Sequence, residues 1–321
     1  MRAPHHPPVK KHWPSPTVSQ TQATVNNGIA AAQRWGHLRR AKASVDRRIM
    51  TSVLPPLARR WSHDVTSDLT VGRLLVLAPH PDDETLGCGA TVIRTLLSGG
   101  DALVVCATDG RSFPAVGDPK VMGATRRGEL AAATEVLGLS PEQVRILDFP
   151  DGELSRHEDS LAASLAALVR SWQPTTVLVS AVCDPHPDHA ALGRAARRAM
   201  AGQAGALFEY MVWGWVNPTR WLLGTRSFRN GGAARVSRAV TVRTDGMLAT
   251  KRDALCCHRS QFGLSAPMSE LSAGDGSQSQ FLANFFGEFE IFFPVNAEGR
   301  DHAGFQVRSQ SGLIAGPMDR R

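Results

Sequence analysis

His80-Pro81-Asp82-Asp83-Glu84 packs one imidazole and three carboxylates into a single short stretch. A second cluster, Asp184-Pro185-His186-Pro187-Asp188-His189, follows about a hundred residues later. Imidazole nitrogens and carboxylate oxygens are the usual ligands of a catalytic divalent cation. His80, Asp83 and His189 together offer two nitrogens and one carboxylate. That set, with an open position, suits catalytic zinc, which retains a water, and it also accepts ferrous iron. Closed structural zinc usually takes four protein ligands and often cysteine. The five cysteines (Cys88, Cys106, Cys183, Cys256 and Cys257) contain no CxxC pair. Adjacent residues of an extended turn point to different sides. Asp82 and Asp83 are therefore expected to do different jobs. With Asp83 on the metal, Asp82 faces the water as general base. His186 is expected as electrophile or acid, stabilising an oxyanion as imidazolium and protonating a leaving nitrogen. Asp188 is placed to bond an imidazole N–H and fix its tautomer. Glu84 opens a helix, where a carboxylate favours the dipole and can bond backbone N–H groups of the bend. Taken alone, the Asp-Asp pair also fits the acidic magnesium pocket of a receiver-like fold.

Both clusters follow apolar runs and precede helical patterns. Leu74–Ala78 reads as a buried strand and Thr85–Leu97 as the helix after it, ended by Gly99-Gly100. Strands at Ala102–Ala107, Val144–Leu147 and Thr176–Ala181 alternate with helices at Val121–Leu137, Ser160–Trp172 and His189–Met200. Phe208–Val216 and Ala239–Val242 read as further strands. A helix capped by Asp245 runs through Cys256, and a short one covers Phe281–Phe286 before the apolar run Phe289–Phe293. The alternation predicts an α/β fold with a Rossmann-like, mostly parallel sheet sandwiched by helices. In such a sheet both clusters lie at the carboxyl ends of strands, so the two turns can meet in space.

The net charge of +7 is unevenly spread. Up to Arg73 twelve Lys/Arg face three Asp/Glu, so about +9 lies there and the remainder carries about −2. Residues 1–70 read as a basic, partly disordered extension. Residues 71–295 read as the catalytic domain and 296–321 as a polar tail. Within the extension, residues 26–53 suit a helix capped by Asn27 with a basic face of Arg34, Arg39, Arg40, Arg47 and Arg48. That face is a candidate contact for an anionic membrane or nucleic acid, or a solvated face packed on the domain. The basic, His- and Pro-rich start is followed by no apolar signal core, and no run is long enough to span a bilayer. Thiols without a pairing pattern suit a reducing compartment, so a cytoplasmic location is expected.

The two histidine motifs resemble those of the PIG-L/LmbE-like deacetylases. Pro79-His80-Pro81-Asp82-Asp83-Glu84 is similar to the family's (A/P)HPDDE signature, and His186-Pro187-Asp188-His189 to its HPDH motif. Thr108-Asp109-Gly110, the R-x-x-E helix segment Arg126-Arg127-Gly128-Glu129-Leu130 and the turn Pro150-Asp151-Gly152-Glu153-Leu154 extend the resemblance. Tyr210-Met211-Val212-Trp213 and Lys251 through His258-Arg259-Ser260-Gln261 also fit, giving coverage from about 72 to 295. The resemblance implies a Rossmann-like fold and zinc-dependent removal of N-acetyl groups from GlcNAc-containing molecules. It implies His80, Asp83 and His189 as zinc ligands and Asp82 as base. His186 would stabilise the tetrahedral intermediate with support from Asp188. Arg126 and Asp151 would contact the sugar or its aglycone. Arg126 could instead pair with Glu129 on its own helix, and Asp151 could simply form a turn. His258 reads as a structural hydrogen-bonding group.

The expected activity is therefore metal-dependent N-deacetylation of an N-acetylglucosamine-type conjugate. One alternative is deacylation of an acylated natural product such as a glycopeptide, with aromatic residues from Phe208 to Trp215 and Trp221 lining a roomy mouth or, alternatively, packing a core. The other is a binding protein with a vestigial site, docked through the basic arm. Loops at Arg111–Lys120 and Arg220–Arg235 would set the aglycone.

Overall fold

A computed structural model describes residues 62–112, 118–215, 238–262 and 281–295. The stretch 26–53, expected as a basic helix, residues 113–117 of the loop expected at 111–120, Trp221, the loop expected at 220–235 and the tail at 296–321 lie outside these residues. Strands β1 (His63–Asp64), β2 (Arg73–Ala78), β3 (Asp101–Cys106) and β4 (Val144–Ile146) are followed by β5 (Thr176–Ser180), β6 (Ala206–Tyr210), β7 (Val240–Arg243) and β8 (Phe289–Val295). Helices α1 (Thr66–Leu69), α2 (Asp83–Leu97), α3 (Pro119–Val136), α4 (Glu158–Trp172), α5 (Pro187–Met200), α6 (Leu248–Cys257) and α7 (Arg259–Phe262) connect them. The sheet order is β1-β7-β8-β6-β5-β2-β3-β4. Strands β4, β3, β2, β5 and β6 are mutually parallel, and β8 alone runs antiparallel to both its neighbours, β6 and β7.

The expected parallel α/β architecture is present, and its cause is visible in β2. Leu74 and Val76 face one core layer while Leu75 and Leu77 face the other. A strand buried on both faces reads as a continuous apolar run. Helices α2 and α6 contribute to the first layer, α4 and α5 to the second. Among the described residues no helix is long and apolar enough to cross a membrane.

Four local expectations differ from the structure. The sheet already begins at His63, ahead of residue 71, because Val65 and Leu69 bury against it and Val65 N–H bonds Thr241 O. Strand β6 ends at Tyr210 and gives way to a 3₁₀ turn at Trp213–Trp215, since backbone N–H groups there turn to Asp184. Asp245 does not cap α6, whose N-cap position is held by Met247; its carboxylate instead bonds Arg94 and Arg243. The run Phe281–Phe286 holds only one helical turn, over 281–283.

Strand β8 carries the charge that the apolar run around it conceals. Glu290 is buried and accepts from Ala90 N (2.8 Å), Thr91 N (2.9 Å) and Thr91 Oγ1 (2.6 Å) in the middle of α2. Lys251 of α6, fully buried, donates to Glu290 Oε1 (2.7 Å) and to the carbonyls of Leu86 and Phe285 (2.9 Å each). Leu86 O thus serves an ammonium while Ala90 N serves a carboxylate. The ion pair is threaded into the helix that begins with Asp83.

Two packing predictions follow from these contacts. Gly193 of α5 lies against β5, where an added Cβ would meet Ser180 O at 2.6 Å. Gly193→Ala is expected to lower the unfolding free energy by about 1–3 kcal/mol in urea titration; unchanged stability would contradict this packing. Glu290→Ala leaves Lys251 buried without its counter-charge, and the same titration is expected to show a loss of about 3–5 kcal/mol.

Candidate metal centre

β2 and β5 are hydrogen-bonded parallel neighbours, with Leu77 opposite Val179. The turns that leave their carboxyl ends are therefore side by side. The first runs from Ala78 to the start of α2, the second from Ser180 to the start of α5. Asp83 Oδ2 lies 3.2 Å from His80 Nδ1 and 3.3 Å from His189 Nε2. His80, Asp83 and His189 each place a donor atom within 4.8 Å of the others. The sequence-distant residues expected to share a cation are brought together.

The donor set fits a cation on a second ground. His189 is fully buried, and both its ring nitrogens lack a hydrogen-bond partner. Nε2 sits close to Asp83 but misaligned for a hydrogen bond. A buried imidazole without partners is costly, whereas a lone pair directed at a cation is satisfied. The cysteines stand apart from this cluster. Burial pushes the Cys88 and Cys106 thiols well above their ordinary value.

Asp82 is held in a strained conformation, with φ at 125°. Such backbone costs about 1–3 kcal/mol and persists only when its surroundings fix it. Three groups do so. Glu84 Oε2 accepts the Asp82 N–H at 2.8 Å. Arg126 donates to Pro81 O and approaches Asp82 Oδ2 at 3.2 Å, and its other branch reaches Gly110 O at 2.9 Å. His258 Nε2 in turn holds Glu84 Oε1 at 3.2 Å. Burial would raise Glu84, but His258 outweighs it and keeps the carboxyl below its ordinary range. Glu84 thus has the bend-fixing role expected of it, and His258 the structural one. Burial pushes Asp82 up to about 7, against the pull of Arg126 and with the help of Asp83. Asp83 moves the other way: burial raises it, but His189 and His80 hold it well below the carboxylate range. The two adjacent acids are electrostatically distinct.

In the second turn the His186 Nδ1 accepts the Asp188 N–H at 3.3 Å. An imidazole accepting at Nδ1 carries its proton on Nε2. Burial and the neighbouring His189 and His80 also lower its pKa. The contact places the proton of the neutral ring on Nε2, and the lowered pKa disfavours the expected imidazolium. The Asp188 carboxylate bonds an imidazole, but the imidazole is His80: Oδ2 lies 3.3 Å from its Nε2. Asp188 is itself fixed by the N–H groups of Gly152 (2.8 Å) and Leu154 (3.1 Å). Asp151 Oδ1 stands 3.1 Å from the same His80 nitrogen, and its Oδ2 accepts from Ser112 N at 2.7 Å. His80 therefore turns Nδ1 toward Asp83 and Nε2 toward two carboxylates. Burial alone would lower its pKa, but Asp151, Asp188 and Asp83 raise it well above the ordinary value.

Arg126 and Asp151 line the wall of the site rather than its mouth. Their side chains are 4% and 5% exposed, and their polar atoms face the catalytic turns. Glu129 does not pair with Arg126; it accepts from Ser260 N and Oγ. Of the aromatic run, Phe208, Tyr210 and Trp215 are buried in the core, while Trp213 is exposed.

Sequence reasoning missed Asp184 and Glu290. Asp184 Oδ1 accepts from His186 N (3.1 Å), and its Oδ2 from Val212 N and Trp213 N (2.9 Å each) and Gly214 N (3.4 Å). One buried carboxylate thus ties the second turn to the loop after β6. The signal was its place at the head of the second cluster. For Glu290 it was an acid between the apolar residues Phe289 and Ile291.

Comparison with known proteins agrees with this arrangement. Residues 75–200 match the family model described as PIG-L: GlcNAc-PI de-N-acetylase. A 1D-myo-inositol 2-acetamido-2-deoxy-alpha-D-glucopyranoside deacetylase of Kineococcus radiotolerans is 30% identical over 170 residues, covering 41% of this chain and 46% of its own. A probable N-acetyl-alpha-D-glucosaminyl L-malate deacetylase 2 of Bacillus cereus is 30% identical over 135 residues, 40% of this chain and 60% of its own. The chain spans about half the length of such curated relatives. The solved zinc-inhibited form of teicoplanin deacetylase Orf2 shares the fold at a TM-score of 0.52 and 19% identity, over 69% of this chain and 97% of that one. The matched span, residues 75–200, holds both histidine turns.

Proposed function

We propose that this protein is a metal-dependent hydrolase that removes an N-acetyl group from an N-acetylglucosamine-type amino-sugar conjugate. The observation that carries the reading is the convergence of His80, Asp83 and His189 beside Asp82 and His186. The family match over residues 75–200 and the named activities of the two curated relatives support it. His80, Asp83 and His189 would hold zinc, with ferrous iron as the second candidate for the same donors. When bound, the ion supplies Lewis-acid polarisation of the amide carbonyl and makes water acidic near neutral pH.

The chain's own groups supply the rest. Asp82 takes a proton from the water that attacks the acetyl carbon. Its raised carboxyl, at about 7, suits transfer in both directions near neutrality. The Nε2–H of His186 bonds the carbonyl oxygen as negative charge gathers there. Asp82 then returns its proton to the departing nitrogen as the C–N bond breaks. Acetate and a free amino sugar result. Arg126 and Glu84 hold Asp82 in its strained pose, and Asp151 and Asp188 orient His80.

The catalytic domain, expected over residues 71–295, is assigned from His63, where its sheet begins, to Val295. The five free thiols support a reducing, cytoplasmic setting. The basic residues before it are assigned a docking role toward an anionic membrane or nucleic acid. A salt-sensitive shift on anionic vesicles or DNA that disappears when residues 1–61 are deleted would support this docking role; no shift would contradict it.

Two variants test the site. Asp82→Asn is expected to keep its metal, by elemental analysis, while kcat for acetate release falls about 10²–10⁴-fold. Full turnover in that variant would remove Asp82 as the base. His80→Ala is expected to lose stoichiometric metal; undiminished zinc would refute its assignment as a ligand.

A further inference from the structure

Trp213 is an indole with 43% of its surface exposed, directly beside the catalytic imidazole. Its ring lies 6.5 Å from that of His186 at an interplanar angle of 25°, and 5.4 Å from that of Phe281 at 27°. Phe281 packs edge-on against the buried Phe285. Exposed apolar surface of this size costs free energy in water, roughly 25 cal/mol per Å². A mobile loop would fold such a side chain away. This one cannot. The Asp184 carboxylate holds the N–H groups of Val212, Trp213 and Gly214, and the flanking Val212 and Trp215 are buried. An added Cβ at Gly214 would run into the Met211 side chain, at Sδ and Cγ, so the turn and that side chain are closely packed. The same carboxylate fixes His186 through its backbone N–H. The indole and the catalytic imidazole are thus set in register by a single anion.

The position relative to the chemistry identifies the occupant. His80, His186 and His189 form a triangle of rings with centroids 4.9–5.4 Å apart. The scissile acetyl group belongs at that triangle. The amino-sugar ring must follow, because its nitrogen is the leaving group. Trp213 joins the triangle only through His186, one ring further out. We propose that Trp213 is a specificity-determining residue that packs against a ring-bearing aglycone, a cyclitol or second sugar, attached to the N-acetylglucosamine unit. A rigid indole gives an apolar surface to the C–H face of such a ring, whereas an acyclic acid offers it little. The inference rests on the deacetylase reading and narrows its substrate class.

The test compares three probes, N-acetylglucosamine, N-acetylglucosaminyl-inositol and N-acetylglucosaminyl malate, with wild type, Trp213→Ala and Trp213→Phe. Acetate release gives kcat and KM. Calorimetry on the Asp82→Asn background gives Kd without turnover. Wild type is expected to prefer the inositol conjugate. Trp213→Ala is expected to raise its KM and Kd about five- to tenfold with kcat within twofold, leaving the other two probes unchanged. Trp213→Phe is expected to recover most of the loss. Equal weakening of all three probes would place the indole on the amino sugar and overturn the assignment, as would no weakening at all. No acetate from any probe, with the calorimetric difference intact, would refute the deacetylase reading while upholding the role of Trp213. Loss of both would overturn both.

Discussion

Strands β2 and β5 are hydrogen-bonded neighbours that run in the same direction, and the site depends on that pairing. Parallel neighbours end at the same edge of a sheet, so whatever follows each strand is brought within a few ångströms of the other. The two histidine turns exploit this. Apolar packing on both faces of β2 fixes its register. A slip of one residue would exchange Leu75 and Leu77 for Leu74 and Val76 between the layers. The position of His80 relative to His189 is therefore set by the hydrophobic cores rather than by the ligands themselves.

Around this edge the structure accepts a dense arrangement of buried charge. Each charge has a partner that also ties two elements together. Glu84 and His258 link α2 to the end of α6. Lys251 and Glu290 link α6 and β8 to the same helix. Asp184 links the second turn to the loop after β6. Burying ions is expensive, and such pairs bring little net stability over apolar packing. What they supply is a single geometry. Asp82 shows the purpose, because its unfavourable backbone angle requires support from Glu84 and Arg126 at once. The strain lies at the residue assigned the proton transfers.

Much of this was readable in the chain. The apolar runs, the glycine and proline stops and the two acid-histidine turns were enough to place the strands, the helices and the three residues that converge. Local pattern did not reveal what depends on long-range pairing. Strand β8 returns antiparallel between β6 and β7, and nothing local to Phe289–Val295 marks its neighbours. The extent of β6 depended on Asp184, a residue from another turn. The expected imidazolium at His186 is disfavoured by burial and by the neighbouring His189 and His80, and a backbone N–H points at its Nδ1, contacts that residue spacing does not encode. Arg126 and Asp151 were expected toward substrate, but their side chains face inward and brace the catalytic turns.

The central claim is that two turns from adjacent strands make one cation site. Diffraction from zinc-loaded crystals, recorded on both sides of the zinc absorption edge, tests it most directly. The account predicts one anomalous peak, about 2.0–2.2 Å from His80 Nδ1, a carboxylate oxygen of Asp83 and His189 Nε2. A peak between His80 Nε2, Asp151 and Asp188, or no ordered ion at all, would contradict it.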